Sequence, residues 1–199
     1  MYPLYRALRA VLTPFVKVFF KPQIIGLENI PKTGKYIVCC NHQSLWDMFV
    51  LVINFPYQIC FMAKKELFHG KFIGWFFRNL GAFPVNRGTG DTSAFKKAFS
   101  VLENGGILGV FPEGTRNGGG APGKAKAGAA LLAIQSGADV LPVSIYYGGK
   151  RFFGKTALRF GEVIKREEFT TDKKPGKTEI RNASNRIMQE ITRLWEMKF

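Results

Sequence analysis

Short apolar runs alternate with longer amphipathic stretches along almost the whole chain. The runs typical of strands are rich in β-branched and aromatic residues and end in polar or glycine-containing turns: PQII, KYIVCC, QICFMA, AFPV, ILGV, DVLPVSIYY and TALRFGEVI. Helical spacing of apolar positions marks SLWDMFVLVIN, KELFHGKFIGWFFRNLG, DTSAFKKAFSVLENGG, AGAALLAIQSG and the tail from Pro175 to Lys198. This alternation predicts a single α/β domain in which helices flank a mostly parallel sheet.

The first 21 residues form a separate basic and amphipathic segment. In a helix, its leucine, valine and phenylalanine side chains fall mainly on one stripe, and Arg6, Arg9 and Lys17 fall on another. This mixture is typical of a helix that lies on a membrane surface, although the same stripe could pack on a domain core. We assign residues 1–21 to N-terminal membrane-associating helices, which Pro14 could divide in two, and residues 22–199 to the α/β domain.

Composition limits the partners that the chain can have. Its 199 residues include 29 Lys plus Arg against 14 Asp plus Glu, a formal charge of +15 that favours polyanionic partners. The sequence contains neither a basic recognition helix nor a zinc knuckle, so no nucleic acid partner is expected. The longest apolar stretch, residues 48–63, is interrupted by Asn54 and Pro56 and is too short for a membrane span. The 19 phenylalanines therefore need a core or an apolar surface.

A polar segment, NHQSLWD, separates the apolar runs YIVCC and MFVLVI. His42 follows a predicted strand and Asp47 opens a predicted helix, so the turn between them can bring the imidazole and the carboxylate within hydrogen-bond reach. Such a pair fixes the tautomer of the ring and leaves one nitrogen free as a base. Spacing alone also allows a structural histidine beside an Asp47 that caps the helix, with Ser44 as the N-cap residue.

Two further turns at predicted strand ends carry residues suited to anions. FPEGTR, residues 111–116, combines a tight turn with a hydroxyl and with Arg116, whose planar guanidinium suits phosphate oxygens. FPVNRG places Arg87 after another strand. Because active sites in α/β sheets lie beyond the carboxyl ends of the strands, these arginines and His42 together predict a site for a phosphorylated substrate with a proton to remove.

The segments NHQSLWD and FPEGTR resemble the N-H-x-x-x-x-D signature and the second hallmark block of the glycerolipid acyltransferases. FPVNRG and VLPVSI are similar to two more blocks of that family, and the four occur in family order between Asn41 and Ile145. Asn117 stands where the family usually has serine, which affects the rim of the pocket. The short chain without spanning segments is most similar to the bacterial 1-acyl-sn-glycerol-3-phosphate acyltransferases of the PlsC type.

This resemblance implies transfer of a fatty acyl group from a thioester of acyl carrier protein or coenzyme A to the sn-2 hydroxyl of lysophosphatidic acid, giving phosphatidic acid. By position, His42 becomes the general base and Asp47 the residue that orients it. The substrate-binding residues implied are Arg87 and Arg116 for the phosphate, and Glu113, Gly114 and Thr115 for the acceptor pocket. No cofactor and no metal are expected.

The expected partners are an anionic membrane surface, lysophosphatidic acid, and an acyl carrier protein or coenzyme A thioester. The expected location is the cytoplasmic face of the cell membrane, with the protein bound peripherally or as a monotopic protein. Three alternatives stay open. The acceptor could be another lysophospholipid or glycerol 3-phosphate. The protein could be a non-catalytic lipid-binding protein of the membrane surface, or the reaction could use a covalent mechanism through Ser44.

Overall fold

This computed structural model describes residues 3–85, 92–118, 120–149, 152–170 and 175–199. Within these residues the chain forms seven strands and six α-helices. The strands are β1 (Pro22–Ile25), β2 (Tyr36–Cys40), β3 (Ile59–Lys64), β4 (Ala82–Val85), β5 (Ile107–Val110), β6 (Asp139–Gly148) and β7 (Lys155–Phe160). The helices are α1 (Pro3–Phe20), α2 (Asp47–Asn54), α3 (Lys71–Asn79), α4 (Thr92–Glu103), α5 (Gly128–Ser136) and α6 (Lys177–Glu196).

The strands form one sheet in the order β1-β7-β6-β2-β5-β3-β4. Every neighbouring pair is parallel except β6 and β7, which are antiparallel. The connection from Gly148 to Lys155 is too short for the crossover that a parallel pair requires, so β7 returns beside β6 in the opposite direction. The prediction of a mostly parallel α/β sheet is confirmed.

The helices cover both faces of this sheet. Along β2, Tyr36, Val38 and Cys40 face a core that α1 and α2 cover, whereas Ile37 and Cys39 face a second core that α4, α5 and α6 cover. This alternation follows from the pleat of the strand, and burial on both sides explains why YIVCC contains no polar residue. α3 lies on the first side, where Phe77 and Phe68 pack on Ala63 of β3.

α1 packs on the domain and also leaves an apolar surface exposed. Tyr5, Val16 and Phe20 are completely buried in the first core. The Arg9 guanidinium donates two hydrogen bonds to the carbonyl oxygen of Ile53, at 3.2 and 3.0 Å, and so satisfies a carbonyl at the C-terminus of α2. Core packing by part of the apolar stripe, one of the two interpretations of the sequence, is therefore present.

Pro14 does not divide the N-terminal segment, because α1 is continuous from Pro3 to Phe20. A proline inside a helix lacks the N–H that would bond the carbonyl four residues earlier, which here belongs to Ala10. Both residues lie on the exposed side of α1, where water can bond that carbonyl. Packing of Tyr5 before the proline and of Val16 and Phe20 after it holds the helix in one piece.

Two other helices are shorter than the sequence predicted. α2 begins at Asp47 rather than directly after Ser44. The predicted helix over residues 65–81 is split into a 3₁₀ turn, Lys65–Phe68, and α3. The split follows from close packing, because a β-carbon on Gly74 would lie only 2.7 Å from the Phe68 carbonyl oxygen. Glycine at position 74 thus lets α3 fold back on the turn that precedes it.

The carboxyl ends of β2, β3, β5 and β6 lie at one edge of the sheet because these strands are mutually parallel. His42 follows β2, Lys64 ends β3, the turn from Phe111 to Arg116 follows β5, and Tyr147 is near the end of β6. Residues far apart in the chain thus surround one site, as expected for an open α/β sheet. Arg87 follows β4 and lies outside the described residues.

Candidate active site

His42 and Asp47 form a hydrogen-bonded pair in which the ring Nδ1 lies 3.0 Å from Oδ2 of the carboxylate. Asp47 is completely buried and His42 is buried apart from a small accessible area. Oδ2 also accepts the backbone N–H groups of Gln43, at 2.6 Å, and of Ser44, at 2.7 Å. A carboxylate oxygen with these donors acts as an acceptor toward the ring, so Nδ1 carries the proton and Nε2 is left to accept one.

Asp47 holds the imidazole, but the capping box that the sequence also allowed is not formed. α2 begins at Asp47 with Trp46 as its N-cap residue, so Ser44, whose N–H the carboxylate accepts, lies before the helix. The Ser44 hydroxyl accepts the Trp46 N–H at 3.2 Å instead of the Asp47 N–H. The Asp47 side chain thus holds the turn before α2 and the histidine ring together.

The second carboxylate oxygen of Asp47 accepts a hydrogen bond from a tyrosine that the sequence analysis did not select. The Tyr147 hydroxyl donates to Oδ1 at 2.7 Å. β6 brings this residue to the site, because β6 pairs in parallel with β2 and continues beyond the end of β2. Both oxygens of the buried carboxylate are thereby bonded, which fixes its plane relative to the imidazole.

The His42 ring lies between its carboxylate partner and an aromatic stack. Phe111 stacks on the imidazole with 4.0 Å between ring centroids, and Phe61 stacks on Phe111 at 5.8 Å. Gly109 of β5 makes this stack possible, because a β-carbon there would lie 2.3 Å from the Phe61 ring. The ring of the candidate base is thus held in position by packing on one side and by hydrogen bonding on another.

Glu113 binds the backbone around His42. Its carboxylate is buried and accepts the His42 N–H at 2.8 Å through Oε1 and the Gly123 N–H at 3.1 Å through Oε2. The His42 carbonyl in turn accepts the Asn117 N–H at 2.9 Å. The turn after β5 therefore bonds both the N–H and the carbonyl of His42. Glu113, which the resemblance places in the acceptor pocket, here holds the backbone of His42 in position.

A second anchor comes from the asparagine before His42. The Asn41 amide nitrogen donates to the Ile145 carbonyl at 2.9 Å, and its oxygen accepts the Ile145 N–H at 2.8 Å. This pair of bonds continues the pairing of β2 with β6 through a side chain. The first residue of the NHQSLWD segment thus fixes where the loop that carries His42 leaves the sheet.

A cavity of about 340 Å³ opens beside the His42 ring. Arg116 and Lys64 contribute to its lining, and the rest of the wall is mainly apolar, with Trp46, Phe49, Phe61, Leu67, Phe77 and Phe111. Arg116 also lines an adjoining open cavity together with Gln43 and Ser44. A proton acceptor, two cations and an apolar wall thus share one space, which suits an amphiphilic anion.

The other predicted site residues lie nearby but not all in that cavity. Gly114 and Thr115 line a neighbouring cavity of about 420 Å³ with Phe111 and Lys126. Gly114 has a positive φ of 71°, and a β-carbon there would lie 2.8 Å from the Lys126 side chain, so a glycine is required at this turn. Lys64 was missed by the sequence analysis although it is a cation at a strand end, the same signal that marked Arg87 and Arg116.

The cysteines beside the site do not supply a nucleophile. Burial raises the pKa of the Cys39 and Cys40 thiols, and the charges of Asp47 and Glu113 raise that of Cys40 further. Both thiols therefore stay protonated at neutral pH. Within the described ranges, no group of three or more His, Cys, Asp or Glu side chains is arranged to hold a metal ion.

A buried histidine and aspartate at the edge of a parallel sheet, next to an apolar cavity with cations, suit a reaction in which a proton is removed from an amphiphilic anion. The Acyltransferase family model matches residues 21–146, and the chain belongs to that family. It is 35% identical to the 1-acyl-sn-glycerol-3-phosphate acyltransferase of Bacillus subtilis over 178 residues, which cover 86% of this chain and 87% of the relative.

Two more relatives agree with this assignment. The chain is 34% identical to the 1-acyl-sn-glycerol-3-phosphate acyltransferase of Streptococcus pneumoniae over 177 residues, 85% of this chain and 64% of that one. The crystal structure of the 1-acyl-sn-glycerophosphate acyltransferase PlsC from Thermotoga maritima superposes with a TM-score of 0.76 at 28% identity, covering 98% of this chain and 80% of that one.

As for membrane insertion, no helix among the described residues combines the length and apolarity of a span.

Proposed function

We propose that this protein transfers a fatty acyl group from an acyl thioester to the sn-2 hydroxyl of 1-acyl-sn-glycerol 3-phosphate, giving phosphatidic acid. The observation that carries the proposal is the buried pair of His42 and Asp47 at the wall of an apolar cavity that Arg116 also lines. Support also comes from the relatives, whose names describe this activity.

In the proposed reaction, Nε2 of His42 takes the proton of the sn-2 hydroxyl while the hydroxyl oxygen attacks the thioester carbonyl carbon. The tetrahedral intermediate collapses with cleavage of the carbon–sulfur bond, and the departing sulfur takes the proton from the imidazolium. The products are the ester and a free thiol, and His42 returns to its neutral form. Asp47 stabilises the imidazolium formed on the way, as the carboxylate of a catalytic triad does.

The phosphate of the acceptor is proposed to bind the guanidinium of Arg116; Lys64 lines the same cavity, with its ammonium paired to Glu66 at 3.0 Å. Arg87 is proposed as a further phosphate ligand on the basis of its place after β4. Gly114 and Thr115 shape the turn that carries Arg116, and Glu113 holds this turn against His42. Positioning by these contacts supplies much of the rate enhancement that a base alone does not.

A peripheral position on the membrane is proposed for the whole protein, with α1 as one contact. Leu4, Val11 and Val18 of α1 are exposed and share one face of the helix, and Arg6 and Lys17 are exposed on a separate stripe of the same helix. A charge of +15 favours the anionic cytoplasmic leaflet, where acyl carrier protein and coenzyme A thioesters are found. The assignment of residues 1–21 to membrane association belongs to this proposal.

The test is an assay of the purified protein with lysophosphatidic acid and with each thioester donor in turn, measuring phosphatidic acid. His42→Ala should lower kcat by at least about 10³-fold, near the upper range for loss of a general base. The control is His69→Ala, because His69 is the other histidine of the chain and is exposed. Arg116→Ala should raise the KM for the acceptor more than it lowers kcat.

Turnover retained by His42→Ala would contradict the assignment of the base. Acceptors offered in parallel, glycerol 3-phosphate and other lysophospholipids, decide the acceptor, since each lacks one feature of lysophosphatidic acid. Release of free thiol from the donor in a burst without acceptor would indicate a covalent acyl-enzyme through Ser44 instead.

A further inference from the structure

Most of the large apolar residues that the described chain exposes lie on one side of the sheet, the side covered by α1, α2 and α3. They are Leu4, Val11, Val18, Leu45, Phe72, Ile73, Trp75, Phe152 and Phe153. The first three belong to α1, and Phe72, Ile73 and Trp75 belong to α3. An exposed cluster of this size on one helix indicates an interaction surface.

α3 presents aromatic side chains outward because its inner face is already occupied. Gly74 packs against the backbone of Phe68, and Phe77 packs on the Phe68 ring with 6.3 Å between centroids. This leaves Phe72 and Trp75 on the outside, 76% and 43% exposed, with their rings stacked at 6.0 Å. The two rings form an apolar projection on the outer surface of α3.

The positive charges on α3 favour an anionic partner for this apolar projection. The helix sequence KFIGWFFRN contains two cations, Lys71 and Arg78, and no acidic residue. Lys71 is exposed one helical turn from Trp75, and Arg78 is exposed with its guanidinium 5.3 Å from the centroid of the Phe68 ring. Aromatic residues flanked by Lys and Arg are the composition of helices that lie in the interface of an anionic bilayer.

α3 is also connected to α1 and to the cavity by an aromatic path. Phe76 lies 6.4 Å from Phe49, Phe49 lies 5.6 Å from Trp46, and Trp46 lies 5.5 Å from Phe15 of α1, all between ring centroids. Trp46, Phe49 and Phe77 line the cavity beside His42. The space for the reaction therefore lies between α1 and α3.

We infer that α3 is a second membrane contact, in which Phe72 and Trp75 insert into an anionic phospholipid bilayer and hold the cavity beside His42 against the lipid. This inference rests on the proposed function, because the acceptor is then a lipid that enters from the bilayer. A lysolipid bound in this arrangement keeps its acyl chain in apolar surroundings from the membrane to the cavity.

The test compares the full chain with the double variant Phe72→Ser, Trp75→Ser in sedimentation with vesicles of phosphatidylcholine and phosphatidylglycerol. Both residues are exposed, so the fold is expected to persist, and the melting temperature checks it. We expect vesicle binding to weaken about tenfold or more, because two aromatic side chains no longer insert. The matched control is Met197→Ser, which removes an exposed apolar side chain after α6 on the opposite side of the sheet.

The variant Lys71→Gln tests the contribution of charge to vesicle binding. It should weaken binding to the anionic vesicles about fivefold and leave binding to pure phosphatidylcholine unchanged. Equal sedimentation of the wild-type protein and the double variant would overturn the inference. So would an unchanged affinity for vesicles together with a change in oligomeric state or a loss of acyl carrier protein binding, since α3 would then contact another protein.

The binding assay separates this inference from the proposed function, because it requires no turnover and can be repeated with His42→Ala. A second readout uses a short-chain lysophosphatidic acid dissolved as monomers. The double variant should keep its activity on this soluble acceptor and lose it on an acceptor embedded in vesicles. Loss of both activities with normal vesicle binding would overturn the role of α3 at the membrane.

Discussion

Tyr147→Phe is the substitution that most directly examines how Asp47 is held. It removes one oxygen atom and leaves the aromatic ring, which contributes to the core around Phe20 at 6.2 Å between centroids. The change abolishes the 2.7 Å hydrogen bond to Oδ1 of Asp47 and leaves the three bonds to Oδ2 in place. The carboxylate then stays attached but can rotate about the bonded oxygen.

The expected loss of kcat in Tyr147→Phe depends on the hydrogen bonds that Asp47 keeps. A hydrogen bond to an ionised group is worth about 1.5 to 3 kcal/mol, and about 1.4 kcal/mol corresponds to a tenfold change in rate. Because the donors from Gln43 and Ser44 still hold Oδ2, only part of this energy is lost in the transition state. We expect kcat to fall about tenfold, with the KM of the acceptor unchanged within about twofold, because Tyr147 does not line the cavity that Arg116 lines.

The assay measures kcat and KM for phosphatidic acid formation by four proteins: wild type, Tyr147→Phe, Asp47→Asn and the double variant. If Tyr147 acts through Asp47, its substitution changes kcat by less than about twofold in the Asp47→Asn background. The control is Tyr146→Phe. The neighbouring tyrosine points to the opposite face of β6, where it meets Trp195 edge to face at 5.3 Å, so its loss should leave kcat unaffected.

Two results would refute this reasoning. Equal kcat values for wild type and Tyr147→Phe would mean that Oδ1 needs no donor for catalysis. A tenfold loss in both the wild-type and the Asp47→Asn backgrounds would mean that the hydroxyl acts on something other than the carboxylate. Melting temperatures of all four proteins separate either result from a loss of folding.

Two more predictions test the packing of the base and the surface of α1. Gly109→Ala should lower kcat and destabilise the fold by about 1 to 3 kcal/mol, because the new methyl group meets the Phe61 ring and shifts the stack under the imidazole; an unchanged denaturation midpoint would contradict this. Val11→Ser with Val18→Ser should weaken vesicle sedimentation without lowering the melting temperature, because both side chains are exposed. Unchanged sedimentation would exclude this face of α1 as a contact.

The elements of the fold and the central pair were accessible from the sequence because both depend on local patterns. Each strand was marked by its apolar run, and the parallel arrangement followed from the alternation with helices. The pair of His42 and Asp47 is separated by a single turn, so its geometry is set by a strand that ends and a helix that begins. For the same reason the FPEGTR turn was recognised as part of the site.

Contacts made across the sheet were not accessible in this way. Tyr146 and Tyr147 are adjacent and chemically equal, and only the register of β6 against β2 decides which of them faces Asp47. The task of Glu113 depends on its burial, which makes backbone N–H groups its partners rather than solvent. Local rules also misplaced the start of α2, because the Asp47 carboxylate accepts from four donors at once and Ser44 is left outside the helix.

The location of the pair at the edge of the sheet explains how one base can serve a substrate whose two ends need different surroundings. Arg116 is exposed to water and lines both cavities at the site. Trp46 lines the same two cavities, and ring contacts lead from it to Phe15 of α1 and, through Phe49, to Phe76 of α3. Under the proposed function, a lysolipid whose phosphate binds Arg116 and whose acyl chain follows these rings has its glycerol beside the imidazole, so the hydroxyl to be acylated is the part of the molecule that the base can reach.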